Sequence, residues 1–341
     1  MSDPSREQRV ADQLPLAVFS QGELIGDALT KVPFIRALRG LYPDRRIVWV
    51  TTNDTHLATT LRPMMDGLID EFLPATGLGA GRLDLLRPLP AALAGRRFSV
   101  VLDTQTKLWV TLLLRRLPRD LFVSRAAGFR LSDRRPAAGY RRPPHIVDRL
   151  IDLAEIASGR KAVLDRAAPR LPAEFLEDAR RLLPDGGAYV GLAPGAGSRV
   201  KCWPLDRYIA VAKAQAERGR TPVFLLGPAE LEWMDPLRAA VPGALFPLQD
   251  PSLAGAAPSP LRTIAVAGRL GAAIANDSGV SHMVALADVP LLTLYGPTDA
   301  AKFSPKVARG RSIAAQSFGG DSMDRIPVEA VLAALEGLIA R

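Results

Sequence analysis

Asn276-Asp277-Ser278-Gly279-Val280-Ser281-His282 follows the apolar run 271–275 and leads into the apolar stretch 283–287. This order predicts a buried strand, a tight turn through Gly279 and then a helix, with polar groups gathered where the strand stops. The first amides of a helix have no partners inside it, so such a junction can hold an anion. A second junction lies upstream, in Ala193-Pro194-Gly195-Ala196-Gly197-Ser198-Arg199-Val200-Lys201-Cys202-Trp203-Pro204. There Gly195 and Gly197 permit close backbone approach, Ser198 offers a hydroxyl, Arg199 and Lys201 supply cations, and Pro204 suits a first helical turn. Two phosphate-accepting turns in one half of the chain predict a nucleotide-type ligand. Ser278 and Gly279 would offer it backbone N–H groups, and His282, one turn on, would face the same anion. Asp277 would be repelled by a phosphate and better suits ligand hydroxyls or the turn itself.

Outward from these turns, apolar runs alternate with helix-period segments, the pattern of βα units and parallel sheets. The strands predicted are Leu16–Ser20, Ile47–Thr51, 68–73, 99–103 and 121–124, then Tyr189–Ala193, 222–226, 244–246, 272–275 and Leu291–Tyr295. Helices are expected at 27–40, 56–65, 107–117, 146–157, 205–218, 230–240, 261–267, 280–287 and Val328–Ile339. Prolines 169, 172 and 184 mark 166–184 as a linker with a short helix. The fold class expected is α/β, with two Rossmann-like, doubly wound parallel-sheet domains, 1–165 and 185–341. Domains of this kind facing one another place strand C-termini, and so ligand sites, around a central cleft. The terminal helix is free, on sequence alone, to pack across to the first domain.

Hydrophobic residues make up 48% of the 341 and charged residues 23%, the balance of a globular chain. Cys202 is the only cysteine, so no intrachain disulfide can form and a reducing compartment is expected. Residues 1–13 mix acids and bases and do not read as a signal peptide. No apolar run nears the ~18 residues of a membrane span. The net charge of +9 is uneven, since residues 1–160 hold 24 Lys/Arg against 17 Asp/Glu. Nine arginines lie from Arg115 to Arg142, with Asp120 and Asp133 the only acids among them. That cluster reads equally as a solvated face or as a landing surface for an acidic partner, because guanidinium forks match phosphates and carboxylates. No aromatic-rich RNA signature or helix-turn-helix pattern accompanies it, so nucleic acid is not an expected partner.

Gly22-Glu23-Leu24-Ile25-Gly26-Asp27-Ala28-Leu29 follows the first strand. Asp27 there reads either as an N-cap, worth about 1 kcal/mol, or as a general base at the cleft floor. Metal chemistry has little support: His56, His145 and His282 are far apart, there is no second cysteine and no Asp-x-Asp occurs. Gly77-Leu78-Gly79-Ala80-Gly81 has the wrong spacing for a dinucleotide fingerprint, and there is no Walker A loop. Neither a metal nor a separate cofactor is expected.

Together these segments resemble the glycosyltransferase family 9 enzymes, the ADP-heptose:lipopolysaccharide heptosyltransferases. The N-terminal match is Gly26-Asp27, then Pro33-Phe34-Ile35-Arg36-Ala37-Leu38-Arg39 and Tyr42-Pro43. The C-terminal match is Pro194-Gly195-Ala196, Lys201-Cys202-Trp203-Pro204, Asn276-Asp277-Ser278-Gly279 with His282, and Tyr295-Gly296-Pro297-Thr298-Asp299. The resemblance implies GT-B architecture, with acceptor bound mainly by the first domain and nucleotide sugar by the second. It further implies inverting, metal-independent transfer. Carried onto this chain, Asp27 is the general base and Lys201 balances the departing diphosphate. Gly195, Ser198, Asp277, Ser278, Gly279 and His282 hold the donor, and Glu230 takes the ribose with Glu232 as a competing choice. Gln105 and Lys107 lie in the acceptor-side stretch, and Arg130 and Arg134 of the arginine cluster would meet acceptor phosphates or acidic sugars.

The function expected is transfer of a heptose-type sugar from an ADP-sugar donor to an acidic glycolipid acceptor, the lipopolysaccharide core. The place expected is cytoplasmic, at the inner face of the inner membrane, with peripheral contact to anionic lipid. Two rivals stand beside it. A nucleotide-sugar epimerase or hydrolase would turn over donor without a separate acceptor. A non-catalytic nucleotide-sugar or glycan-binding protein would show no turnover, and its binding would survive Asp27→Ala.

Overall fold

The computed structural model describes residues 14–165 and 167–340. The opening stretch read as lacking a signal peptide lies outside the described residues. Two compact units divide the chain, Met1–Asp165 and Arg166–Arg341.

In the first unit the strands are β1 (Leu16–Ser20), β2 (Ile47–Thr51), β3 (Glu71–Leu73), β4 (Phe98–Asp103) and β5 (Arg119–Ser124). They form one parallel sheet in the order β3-β2-β1-β4-β5. Every residue of β1, β2 and β4 is buried, as a parallel sheet covered on both faces requires. On one face Ala17, Phe19, Val48, Val50 and Val101 pack on the helix Leu108–Leu114 through Val110, Leu113 and Leu114. The helices Ile25–Leu41 and Ile146–Ser158 pack together, and Phe34 meets Trp49 of the opposite set at 6.3 Å.

The second unit carries β6 (Tyr189–Ala193), β7 (Thr221–Phe224), β8 (Ala272–Asn276), β9 (Leu291–Tyr295) and β10 (Gly310–Ala314). Their order is β10-β9-β8-β6-β7, again parallel. Val190, Leu192, Ile274 and Leu292 share a core with Val331, Leu335 and Leu338 of the terminal helix Val328–Ile339. That helix, free on sequence to lie elsewhere, covers its own unit's sheet. The helix Ala173–Leu182, expected as part of a linker, packs on Pro260–Ala267, with Arg262 Nε 3.0 Å from the Asp178 carboxylate.

Some elements differ from the sequence reading for local reasons. Residues 244–246 make no strand, only a single bridge from Leu245 to Val223. The edge strand β10, Gly-Arg-Ser-Ile-Ala, carries no apolar run to mark it in the sequence, and none of its residues is buried. The helix expected over 56–65 contracts to Arg62–Met65 around Pro63, and that over 230–240 splits into a 3₁₀ turn, Pro228–Trp233, and a helix, Met234–Ala240.

Each sheet reverses its winding once, between β1 and β4 and between β6 and β8. Loops leaving the carboxyl ends of those strands part in opposite directions, and open α/β sheets bind ligands at such points.

Candidate active site

At the reversal in the second unit, the segment after β6 and the turn after β8 stand side by side. Asn276, the last residue of β8, is fully buried and ties them together. Its Oδ1 accepts from the Trp203 amide at 3.2 Å and the Tyr208 hydroxyl at 3.1 Å, while its Nδ2 donates to the Pro194 carbonyl at 2.7 Å. A buried amide satisfied on both ends fixes one geometry, since losing a partner would strand the rest in an apolar core. Trp203 is anchored further by its indole N–H, which donates to the Ile326 carbonyl at 3.0 Å.

This frame brings Lys201 to Asp277, with Nζ 2.8 Å from a carboxylate oxygen. Lysine's side chain is one-third exposed and aspartate's nearly buried, so the pair borders solvent. Ser278 is the N-cap of the helix Gly279–Leu286, yet its hydroxyl makes no capping bond and is buried without a partner. The Thr298 hydroxyl after β9 is also buried, with no partner among the described residues. His282 lies half-buried in the first turns of the same helix.

Glu230 joins the loop after β7 to the loop after β6. Its Oε2 accepts from the Gly227 amide at 2.8 Å. Its carboxyl carbon lies so near Gly195 that a Cβ there would stand 2.4 Å away. A side chain at Gly195 would push the Glu230 carboxyl out of this position. Glu232 instead pairs with Arg199, whose guanidinium lies 4.4 Å above the Trp233 ring. Beside the Gly227 turn opens a mainly apolar cavity of about 410 Å³, walled by Leu226, Leu231, Leu248, Ala256, Val280 and Met283. Gln249 also lines it, its Nε2 donating to the Leu226 carbonyl at 2.9 Å while Oε1 has no donor.

In the first unit the reversal gathers the turn after β1 and the loop after β4. The helix begins at Ile25, two residues before the sequence reading, with Leu24 as N-cap. Asp27 therefore sits inside the first turn rather than capping it, and its exposed carboxylate has no hydrogen-bond or ion-pair partner among the described residues. Glu23, which the sequence reading passed over, is buried behind it. Burial pushes its carboxyl up, but the Lys31 ammonium at 2.6 Å and the hydroxyls of Ser20 and Thr55 outweigh burial and hold it low. Gly22 turns this segment at φ 120°, where a Cβ would stand 2.7 Å from the Asp54 carbonyl. The Gln105 side chain donates to Thr104 Oγ1 at 3.3 Å, and Lys107 reaches Gln21 at 3.3 Å, so both stand at the edge that carries Asp27.

Beyond β5, Arg125 donates to the Thr104 carbonyl at 3.3 Å, while its Nε and Nη1 are buried without partners. Burial, then the charges of Arg142 and Arg149, hold its pKa below the ordinary guanidinium value. Arg130 follows on the surface. Arg134 does not join this edge. Its Nη1 donates to the Ala157 carbonyl at 2.5 Å, at the far end of Ile146–Ser158 and close to Tyr42. The chain turns back alongside β5 through Asp133, whose amide donates to the Phe122 carbonyl at 2.9 Å, and this carries Arg134 toward the amino-terminal ends of the strands.

The sequence profile of glycosyltransferase family 9 (heptosyltransferase) matches residues 87–319. The chain belongs to glycosyltransferase family 9. It is 26% identical over 299 residues to lipopolysaccharide heptosyltransferase 3 of Escherichia coli (strain K12), covering 80% of each chain. It is similar in fold to a family 9 glycosyltransferase from Veillonella parvula DSM 2008, with a TM-score of 0.70 at 20% identity over 97% of this chain and 98% of that one. The E. coli heptosyltransferase WaaC solved with ADP gives 0.64 at 18% identity, covering 95% and 99%. As a family 9 glycosyltransferase of GT-B architecture, the chain uses two parallel five-stranded sheets, as expected. What the sequence left unseen in this family 9 site is the buried Glu23–Lys31 pair, the bracing by Asn276 and the apolar cavity. Glu23 and Asn276 lay inside quoted motifs, but no spacing separates a bracing side chain from a ligand-binding one.

Proposed function

We propose that this family 9 enzyme transfers a heptose-type sugar from an ADP-linked donor to a glycolipid acceptor of the lipopolysaccharide core, with inversion at the sugar. The observation that carries the reading is the Lys201–Asp277 pair at the β6/β8 reversal, beside the unpartnered Ser278 hydroxyl and the amides of Ser278 and Gly279. A diphosphate seated on those amides meets a helix N-terminus and, in Lys201, a cation 2.8 Å from the carboxylate that now neutralises it. Asp277 is then free for the donor's hydroxyls, and His282 faces the same phosphates. Glu230 accepts from the ribose, with Gly195 and Ser198 flanking the diphosphate. The base enters the apolar cavity beside Gly227. Gln249 Oε1, lacking a donor, favours a base with an exocyclic amine, which adenine provides.

In the transfer, Asp27 takes the proton of an acceptor hydroxyl as that oxygen bonds to the anomeric carbon, and the carbon–oxygen bond to the diphosphate breaks. The bonding pair stays on the departing diphosphate oxygen, and Lys201 and the helix amides stabilise the negative charge that develops there. These residues supply the positive charge for departure, so the reading is metal-independent transfer that continues in a chelator. Gln105, Lys107 and Arg130 stand on the acceptor side, joined by Arg125, whose unpartnered donors suit an acidic acceptor. Among the described residues no helix is long and apolar enough to cross a membrane, and the proposed place of action is the cytoplasmic face, on a lipid-borne acceptor.

Calorimetry with ADP-heptose, ADP, a UDP-sugar and a GDP-sugar tests this. ADP compounds alone should bind, and more weakly to Lys201→Ala. Selective binding of another nucleotide would discard the ADP-sugar assignment, and turnover of donor without acceptor would give the site to an epimerase or hydrolase.

A further inference from the structure

The first unit exposes four leucines on two adjoining elements. Leu83 and Leu86 lie three residues apart on the 3₁₀ turn Arg82–Leu86, a spacing that stacks them on one side, and are 65% and 87% exposed. Leu108 and Leu112 lie one turn apart on the helix Leu108–Leu114 and are 52% and 43% exposed. The two elements are packed together. Leu85 and Trp109 join the same core cluster, and Arg116 Nη1 donates to the Asp84 and Leu85 carbonyls at 3.2 Å each. Single exposed leucines need no explanation, but a group of this kind does.

Its rim is basic. Arg82, Arg87 and Arg116 are exposed around it, and Lys107 precedes Leu108. One acid, Asp84, lies among them, with one carboxylate oxygen accepting from the Gly81 amide at 3.1 Å and the other 3.2 Å from Arg87. Apolar side chains ringed by arginines are what an anionic bilayer surface takes: the leucines enter the headgroup boundary while the cations stay at the phosphates. Lys107 and Leu108 also follow β4, at the edge that carries Asp27. We infer that Leu83, Leu86, Leu108 and Leu112, with their arginine rim, seat the enzyme on an anionic phospholipid surface. This rests on the reading of a lipid-borne acceptor, and places the acceptor edge at the bilayer.

The test is flotation of the full chain with vesicles of mixed phosphatidylglycerol and phosphatidylcholine, and with phosphatidylcholine alone. The wild type should bind the mixed vesicles, release in high salt and bind the neutral ones far less. Leu83→Ser/Leu86→Ser and Arg82→Gln/Arg87→Gln should each lower partitioning by about tenfold. Melting temperature and ADP binding should stay unchanged in both, which keeps loss of fold and failure of the donor reading apart from failure of this inference. Equal partitioning of variants and wild type, or no binding to the mixed vesicles, overturns it. So does a concentration-dependent dimer that the leucine variant abolishes, because the patch would then belong to a second copy.

Discussion

Lys201 and Asp277 stand 76 residues apart in the chain and 2.8 Å apart in space, so the proposed donor site holds an internal ion pair that a diphosphate would rearrange. Removing the lysine takes away one charge-assisted contact to phosphate and leaves Asp277 facing it alone. Lys201→Ala should weaken ADP binding by roughly ten- to a hundredfold, as loss of a charged hydrogen bond implies. Asp277→Ala should cost less in the Lys201→Ala background than alone, a coupling that a double-mutant cycle in calorimetry measures.

Asp27 makes no hydrogen bond that would hold the helix start, and Leu24 occupies the cap. Asp27→Asn should therefore leave the melting temperature and ADP affinity almost unchanged while kcat falls by roughly 10²–10⁴. A loss confined to stability would return the residue to a structural role.

Gly195 faces the Glu230 carboxylate so closely that a methyl there would meet it at 2.4 Å unless the glutamate moved off the Gly227 amide. Gly195→Ala should destabilise the protein by about 1–3 kcal/mol, the usual penalty of overpacking. Glu230→Ala in the same chain should restore the melting temperature without restoring ADP affinity. Chemical denaturation followed by calorimetry separates the two.

Gln249 Oε1 at the cavity has no donor, and an adenine amine would supply one. Wild type should prefer ADP to inosine diphosphate, which carries a carbonyl at that position. Gln249→Leu should narrow the preference, because a site built for a hydrogen bond discriminates most against its absence. Equal ratios in the two proteins would remove Gln249 from base recognition.

Asp103 offers a pH test of the first unit. Burial raises its carboxyl to about 6, against the Thr111 and Ser124 hydroxyls and the Gln105 amide, which favour ionisation. The folded state then holds a proton that the unfolded chain releases from about pH 4 upward, so stability should fall between about pH 4 and 6 and level off above. The full shift corresponds to about 3 kcal/mol, and Asp103→Asn should flatten that part of a urea-denaturation profile.

Strand–turn–helix order at residues 276–282 and 193–204 was enough to read a parallel α/β fold, because buried parallel strands are apolar throughout and their turns must be glycine-rich. The same order gave Lys201 to an anion and set Asp277 aside for ligand hydroxyls or the turn itself. It did not pair them, since a pairing across sheet neighbours depends on which strand docks beside β6, and local pattern is silent on that. Arg134 shows the opposite failure: it shares a basic run with Arg125, yet the chain's return past Asp133 sends it toward the amino-terminal ends of the strands. The cavity went unread because its walls come from three separate segments. The stretch 249–260 that lines much of it has no periodicity to mark it.

The adjacency of β6 and β8 also decides when the donor site can come into being. β7 and some 74 residues of helix and loop lie between them, and on the proposed reading neither turn would hold a diphosphate until β8 has docked. On that reading nucleotide sugar would be captured only by a chain whose second unit has already closed, and once captured it would bias that unit against reopening. Donor scarcity would then act twice in the cell, slowing turnover and leaving more newly made enzyme exposed to proteolysis.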